Sequence, residues 1–417
     1  MTPSLVQPIN FERIYGSVQR GSGGFAHGGS IQIPVEDSKV LLAQTMIYKE
    51  DIIGNALGAY SIATNIKSGT AHWAKINPVK FITRARPTDC SRTAESVGTA
   101  TAASKALDKC HLFLKFCKDT FAASLDSTWQ SLWGKGNELN DINATEAGRE
   151  VFTRFMGEVL NGVGNDFSTN AWWGQHPYIA TTIAANPLTL SAGLIEDIED
   201  TVAVTAGILK QIDALKDASH PNLNNTISSG DVSGYAFTGD AIQLMADVKS
   251  KARPKFAQAM SSLKARHNYP IAYVTPGIFN RLREQIVTAN PGLASTLLLQ
   301  LNGNVTAELG IEMVNLTSYD SFVWDGVQIV NRPDWEGFAS EVGFWHHRVL
   351  MFVPQVAIGF AIDVEESSQF DGMGLIVTKS SNPEHGGAYF VEANYQMAAA
   401  ILDHEYIVNY NYQVYQS

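Results

Sequence analysis

The longest run of helical periodicity covers Asn143 to Gly164: Val151, Phe152, Phe155, Met156, Val159, Leu160 and Val163 share one stripe, and Glu150, Arg154, Glu158 and Asn161 fall away from it. Asn143 with Glu146 three residues on predicts a reciprocal cap at the start, and Gly162 with Gly164 predicts the stop. The sequence that follows places Trp172, Trp173 and Gly174 before Pro177, a break with two large aromatics to bury. A second helix is predicted over Ala192 to Lys216, with Glu196, Asp197, Glu199 and Asp200 complementing the dipole of its first turns. A third begins at Thr238 or Gly239 and ends before Pro254. A strand over Ile271 to Val274 leads through Thr275 as N-cap and Pro276 at N1 into a helix that buries Ile278, Phe279, Leu282 and Ile286. Strand pieces are predicted at 311–316 and 327–335, so the middle third reads as an α/β unit. From Trp345 onward Val, Ile, Phe and Tyr dominate between turn residues, which predicts antiparallel strands.

Other stretches lack this patterning. Residues 1–35 are extended in character, and Gly16 to Ser30 is too dense in glycine for a regular element, so an arm is expected, followed by a short helix over Val40 to Ile53. Residues 66–105 combine a basic strand-like piece, Ile76 to Arg86, with a Ser-, Thr- and Ala-rich segment that has too few large apolar residues for its own core. Cys110 to Asp119 then alternates, with Leu112, Leu114 and Phe116 on one face, as a strand returning to the body. Together these predict a long two-stranded flap, and coreless segments of this length usually serve a function.

A chain of 417 residues predicts two or three structural units, and 45% hydrophobic with 17% charged residues is ordinary for a globular protein. No apolar run is long enough to span a bilayer, and the first residues lack a signal peptide's basic and apolar regions, so a soluble, unexported chain without membrane contact is expected. Three cysteines argue against a disulfide framework. The net charge of -11 disfavours groove-wise reading of nucleic acid, which needs a basic stripe.

Candidate chemistry is sparse. Cys90, Cys110 and Cys117 beside His111 match no zinc spacing, and His346-His347 lacks the i, i+4 arrangement that sets two imidazoles on one helix face. The serines around Gly21 to Ser30 sit in the arm and not on a strand-to-helix elbow, and neither phosphate-binding glycine motif is present. Asp363, Glu365 and Glu366 read more simply as an exposed strand end than as paired catalytic carboxylates. No catalytic, cofactor-binding or metal residue is assigned, and no enzymatic role or cofactor is expected. Eight tryptophans and fourteen tyrosines without a cofactor motif point to surfaces that bind other copies of the chain.

The order of these elements resembles the major capsid proteins of tailed bacteriophages, the Hong Kong 97-like fold. The matching stretches are the arm at 1–50, the flap at 66–118 (the E-loop), the spine helix at about 144–163, and the strands after Trp345. The resemblance implies an α+β fold with a peripheral domain at 119–184 and 341–417 and an α/β axial domain at 185–340. It implies a virion structural protein that self-assembles into hexamers and pentamers of an icosahedral head around double-stranded DNA, with portal, scaffold or decoration proteins as partners, built in the host cytoplasm. Some family members crosslink a flap lysine to a neighbour; Lys75 and Lys80 lie in that region, but no partner or catalytic acid is identified, so that chemistry is not carried over. The extended start at Met1 implies a separate scaffold or none. Alternatives are an encapsulin-like nanocompartment shell, an α/β enzyme or another virion component. Permanent interfaces of about 2,000–5,000 Å² are expected, and an acidic subunit would not trap packaged DNA.

Overall fold

The computed structural model describes residues 19–20, 30–34, 59–63, 66, 69–76, 100–116, 159, 162–177, 179, 198, 201–264, 269–289, 321–365, 373–379 and 389–415. The helix expected over Val40 to Ile53, the spine before Val159, the acidic residues Glu196, Asp197, Glu199 and Asp200 and the strand at 311–316 lie outside them.

In chain order the elements are β1 (Gln19–Arg20), β2 (Ser30–Pro34), β3 (Ser61–Ala63), β4 (Thr70–Ile76), β5 (Ala100–Ala106), β6 (Asp108–Phe116) and the helix α1 at 162–173. Next come α2 (Ile208–Ala214), β7 (Asn225–Thr226), β8 (Val232–Ser233), β9 (Ala236–Phe237), α3 (Ala241–Ser250), α4 (Pro254–Lys264), β10 (Ile271–Val274) and α5 (Pro276–Ala289). The chain continues through β11 (Ser321–Trp324), β12 (Val327–Asn331), α6 (Pro333–Val342), β13 (Phe344–Phe352), β14 (Ile358–Val364), β15 (Met373–Lys379), β16 (Tyr389–Ile401) and β17 (Ile407–Tyr415).

Two sheets organise the fold. Sheet one joins β1, β2, β15, β16, β14 and β3, with β6 also paired to β16; sheet two runs β11-β12-β10-β13-β17-β7. The α+β class is as expected, but 341–417 divides between the sheets. Its strands β13 and β17 flank and extend the middle-third strand β10, whereas β14, β15 and β16 build sheet one. The physical reason is alternation: Ile271, Tyr273, Leu350, Phe352 and Ile407 face a core shared with sheet one, and Ala272, Val274, Val349, Met351 and Val408 face a second core filled by α3 and α5. Strands buried on both faces fit only the middle of a covered sheet.

Several local expectations change. Gly162 and Gly164 do not stop the spine; both are helical, and the helix runs to Trp173 before Gly174 and Gln175 turn the chain. Neither glycine is placed at a terminus where a left-handed turn is needed, whereas Gln175 has φ of 50°. The predicted helix over Ala192 to Lys216 is interrupted at 203–207. There the turn after α1 enters backbone against backbone: Gln175 N donates to the Val202 carbonyl at 2.6 Å, and Gly207 N to the Gly174 carbonyl at 2.8 Å. The glycine-rich arm contributes β1 and β2, because the edge of β15 supplies the pairing that its own sequence does not. Among the described residues, α4 and α6 are helices that the periodicity does not predict: the strand expected over 327–335 ends at Asn331 and α6 begins at Pro333, with Asp334 and Glu336 in its first turn and Gly343 in left-handed geometry after its end as legible signals.

Candidate functional site

The flap is built on a two-stranded hairpin. β4 and β5 pair in antiparallel register from Thr70↔Ala106 to Ile76↔Ala100, so the first strand begins at Thr70 and not at Ile76. After Leu107 the chain enters β6, which pairs along β16 with Leu112 buried and Phe113 more than half exposed. The root of the hairpin is not coreless: Ala71 and Trp73 form a buried cluster with Ala361, Ala398 and Ala400 of β14 and β16. Small side chains on sheet one make the socket that the flap sequence alone does not supply. Trp73 Nε1 donates to the Ser61 carbonyl at 3.1 Å, and the indole lies so close to Gly359 that a Cβ there would sit 2.8 Å from Nε1. Lys105 Nζ donates to the Ala399 carbonyl at 2.7 Å and the Ala206 carbonyl at 3.3 Å, and burial lowers its pKa. Gln211 of α2 reaches the same Ala399 carbonyl at 2.8 Å and accepts from Ile401 N.

A buried polar cluster lies on the other side of α2. His346 and Arg348 alternate on the β13 face toward α2, opposite Gln413 and Asn411 of β17, and His347 points to the other face, where Nε2 meets the Gly234 carbonyl at 2.7 Å. His176 Nε2 is 2.9 Å from Asp213 Oδ2, and Lys216 Nζ bonds Asp213 Oδ1 at 2.6 Å and Asn411 Oδ1 at 2.9 Å. Arg348, fully buried, donates through Nη1 to Asn409 Oδ1 at 2.8 Å, while its Nε and Nη2 have no hydrogen-bond partner among the described residues. Burial lowers the pKa of His176, His346 and His347 and brings that of Arg348 down to about 10. Burial opposes ionisation of Asp213, but the His176 hydrogen bond and the charges of Arg348 and Lys216 outweigh it and hold the carboxyl below the usual range.

Between α1 and α6 opens a cleft of about 440 Å³, lined by Asp166, Asp334 and Glu341 and by the rings of Trp172, Trp335 and Phe338. Its floor is braced by Arg332, whose guanidinium lies 4.9–5.1 Å from the rings of Trp172, Tyr273 and Trp335 and pairs with Asp334. An acidic rim over aromatic rings disfavours anions.

The sequence candidates are not brought together. Cys110 is buried in β6 with its thiol pushed up to about 12 by burial, and Cys90 and Cys117 lie outside the described residues. His111 is 3.7 Å from Glu392. Glu365, just after β14, pairs with Lys109 at 3.3 Å, Asp363 is half-buried, and Glu366 and Lys80 lie outside the described residues. Lys75 pairs through its backbone with Thr101. His346 and His347 do not have zinc-site spacing, but the period of two sends one imidazole to each face of β13, and that alternation is the sequence signal for the cluster. Ser219, His220 and Asp217 also meet, but Ser219 Oγ and Asp217 Oδ1 share the same His220 Nδ1, at 3.2 and 2.8 Å, which orients no nucleophile.

No family model matches the sequence, and no curated protein matches it. Among solved structures, the chain is similar to the satellite phage P4 procapsid including size determination (Sid) protein, at 9% identity and a TM-score of 0.46, over 88% of this chain and 97% of that one. It is similar to the cyanophage Pam1 capsid asymmetric unit at 13% identity and a TM-score of 0.40, over 86% and 89% of the two chains. The capsid of Myoviridae phage XM1 follows at 10% identity and a TM-score of 0.36, over 86% and 90%. Each of these three is a phage capsid or procapsid structure.

Proposed function

We propose that this chain is the major capsid protein of a tailed bacteriophage, building the hexamers and pentamers of an icosahedral head that encloses double-stranded DNA. One observation carries the reading. The hairpin β4–β5 pairs with no third strand among the described residues, is rooted by Trp73 and Lys105, and is joined between Ile76 and Ala100 by a connection far longer than the about 2–5 residues of an ordinary hairpin loop. A hairpin anchored at its base, with a connection longer than its own pairing requires, suits contact with a neighbouring copy. In this reading sheet one with α1 forms the peripheral domain and sheet two with its helices the axial domain, so β13 and β17 carry the 341–417 segment into the axial sheet. Portal, scaffold or decoration proteins complete the virion, and assembly takes place in the host cytoplasm.

The test is electron microscopy of the purified recombinant chain under assembly conditions, beside a variant with 77–99 replaced by an Asn-Gly turn. The wild type should give closed particles, and the variant a folded subunit that forms none. A wild type that remains a small oligomer under every assembly condition sinks the proposal. Nuclease-protected double-stranded DNA in particles from the native host separates a phage head from a shell that carries protein cargo.

A further inference from the structure

The cleft between α1 and α6 has no part in the function proposed above, and its chemistry selects a ligand. α6 turns Asp334, Phe338 and Glu341 toward it. Seven residues make nearly two helical turns, so the two carboxylates lie on one side of α6, about 10 Å apart along its axis, with Phe338 between them. We propose that this cleft binds a linear aliphatic diamine, whose ammonium ends meet Asp334 and Glu341 and whose methylene chain lies on Phe338.

Size and polarity both fit. The volume of about 440 Å³ falls within the range of small-ligand sites, roughly 300–1,000 Å³. Trp172, Trp173 and Trp335 are at most 1% exposed and close the floor, so the ring within a ligand's reach is the half-buried Phe338. From the facing wall α1 presents Asp166, together with Asn165 and Thr169, whose oxygens accept N–H groups. An ammonium has three donors, and these oxygens serve the ones that a carboxylate leaves over.

The charges favour a cation with two ends. Asp334 already accepts from Arg332 Nε at 2.8 Å and from Nη2, but a carboxylate has about four acceptor sites. Glu341 is exposed and pairs with none of the described residues. Among the described residues, three carboxylates thus stand against one guanidinium. The stretch 178–202, which brings Ile198 and Thr201 to the wall, contains Glu196, Asp197, Glu199 and Asp200 and no lysine or arginine. One lysine or arginine side chain would engage one end of the α6 stripe and leave the other, and no group of described residues is arranged to hold a metal ion. A dication of matching length engages both ends.

Isothermal titration calorimetry of the dispersed full-length subunit tests this without requiring assembly, so its failure leaves the capsid reading untouched and a failure to assemble leaves this site standing. Octamethylenediamine, whose extended span matches the spacing on α6, should bind about tenfold or more tightly than putrescine, which is too short, and than octylamine, which lacks the second charge. Glu341→Gln should weaken octamethylenediamine by about tenfold and bring it level with octylamine. Glu284→Gln, on α5 and outside the cleft, should bind as the wild type does. Circular dichroism checks folding, and if Glu341→Gln does not fold the wild-type length series decides. No binding at millimolar octamethylenediamine, equal affinity for the long and short diamines, a monoamine as tight as the diamine, or unchanged binding in folded Glu341→Gln overturns the proposal.

Discussion

Lys105 Nζ lies 2.7 Å from the Ala399 carbonyl oxygen, so a lysine of the flap hairpin donates directly into the strand that joins the two halves of sheet one. Hydrogen bonds from a charged donor contribute about 1.5–3 kcal/mol, and here burial of the ammonium offsets part of that. Lys105→Met, which keeps the stem and loses the donor, should cost about 1–2 kcal/mol. The urea midpoint should fall with an unchanged slope, and a midpoint equal to the wild type would show the anchor to be idle.

Trp73 and Gly359 are matched in shape. Trp73→Ala empties the alanine-lined socket and should cost about 3–5 kcal/mol, whereas Trp73→Phe loses chiefly the bond to Ser61 and should cost about 1 kcal/mol. Gly359→Val should behave more like the first than the second, because the added atoms must displace the indole. Chemical denaturation with near-ultraviolet circular dichroism ranks the three.

Two glycines in one stretch should respond in opposite directions. A Cβ at Gly174 would meet the backbone oxygens of Thr205 at 2.1 Å and Asn170 at 2.5 Å, so Gly174→Ala should cost about 3 kcal/mol or more and sharply reduce soluble yield. Gly162 is exposed, helical and has open space around it, so Gly162→Ala should stabilise by about 0.5–1 kcal/mol. Thermal midpoints of the pair decide whether the helix ends at Gly162 or at Gly174.

Burial raises the Glu336 carboxyl to about 7, and its Oε2 has no hydrogen-bond partner among the described residues. The folded protein then holds a proton that the unfolded chain has released, so this group's effect on stability worsens as pH rises from about 4.5 through about 7. Glu336→Gln should raise the thermal midpoint at pH 8 and leave it nearly unchanged at pH 4. An equal shift at both values would show that the carboxyl does not titrate there.

Sequence pattern alone settled the unit around Ile271 to Ala289, the β-rich end and the return of Leu112 to the body, because alternation and helical stripes are local consequences of which face is buried. It could not divide the final strands between two sheets, since β13 and β14 have similar apolar composition and differ only in the neighbours available to them. The interrupted helix before Gly207, the alanine socket of Trp73 and the convergence of His176, Asp213 and Arg348 were likewise decided by tertiary structure. Each depends on backbone or side chains brought together from distant segments, and periodicity along a chain records the burial of a face but not what covers it.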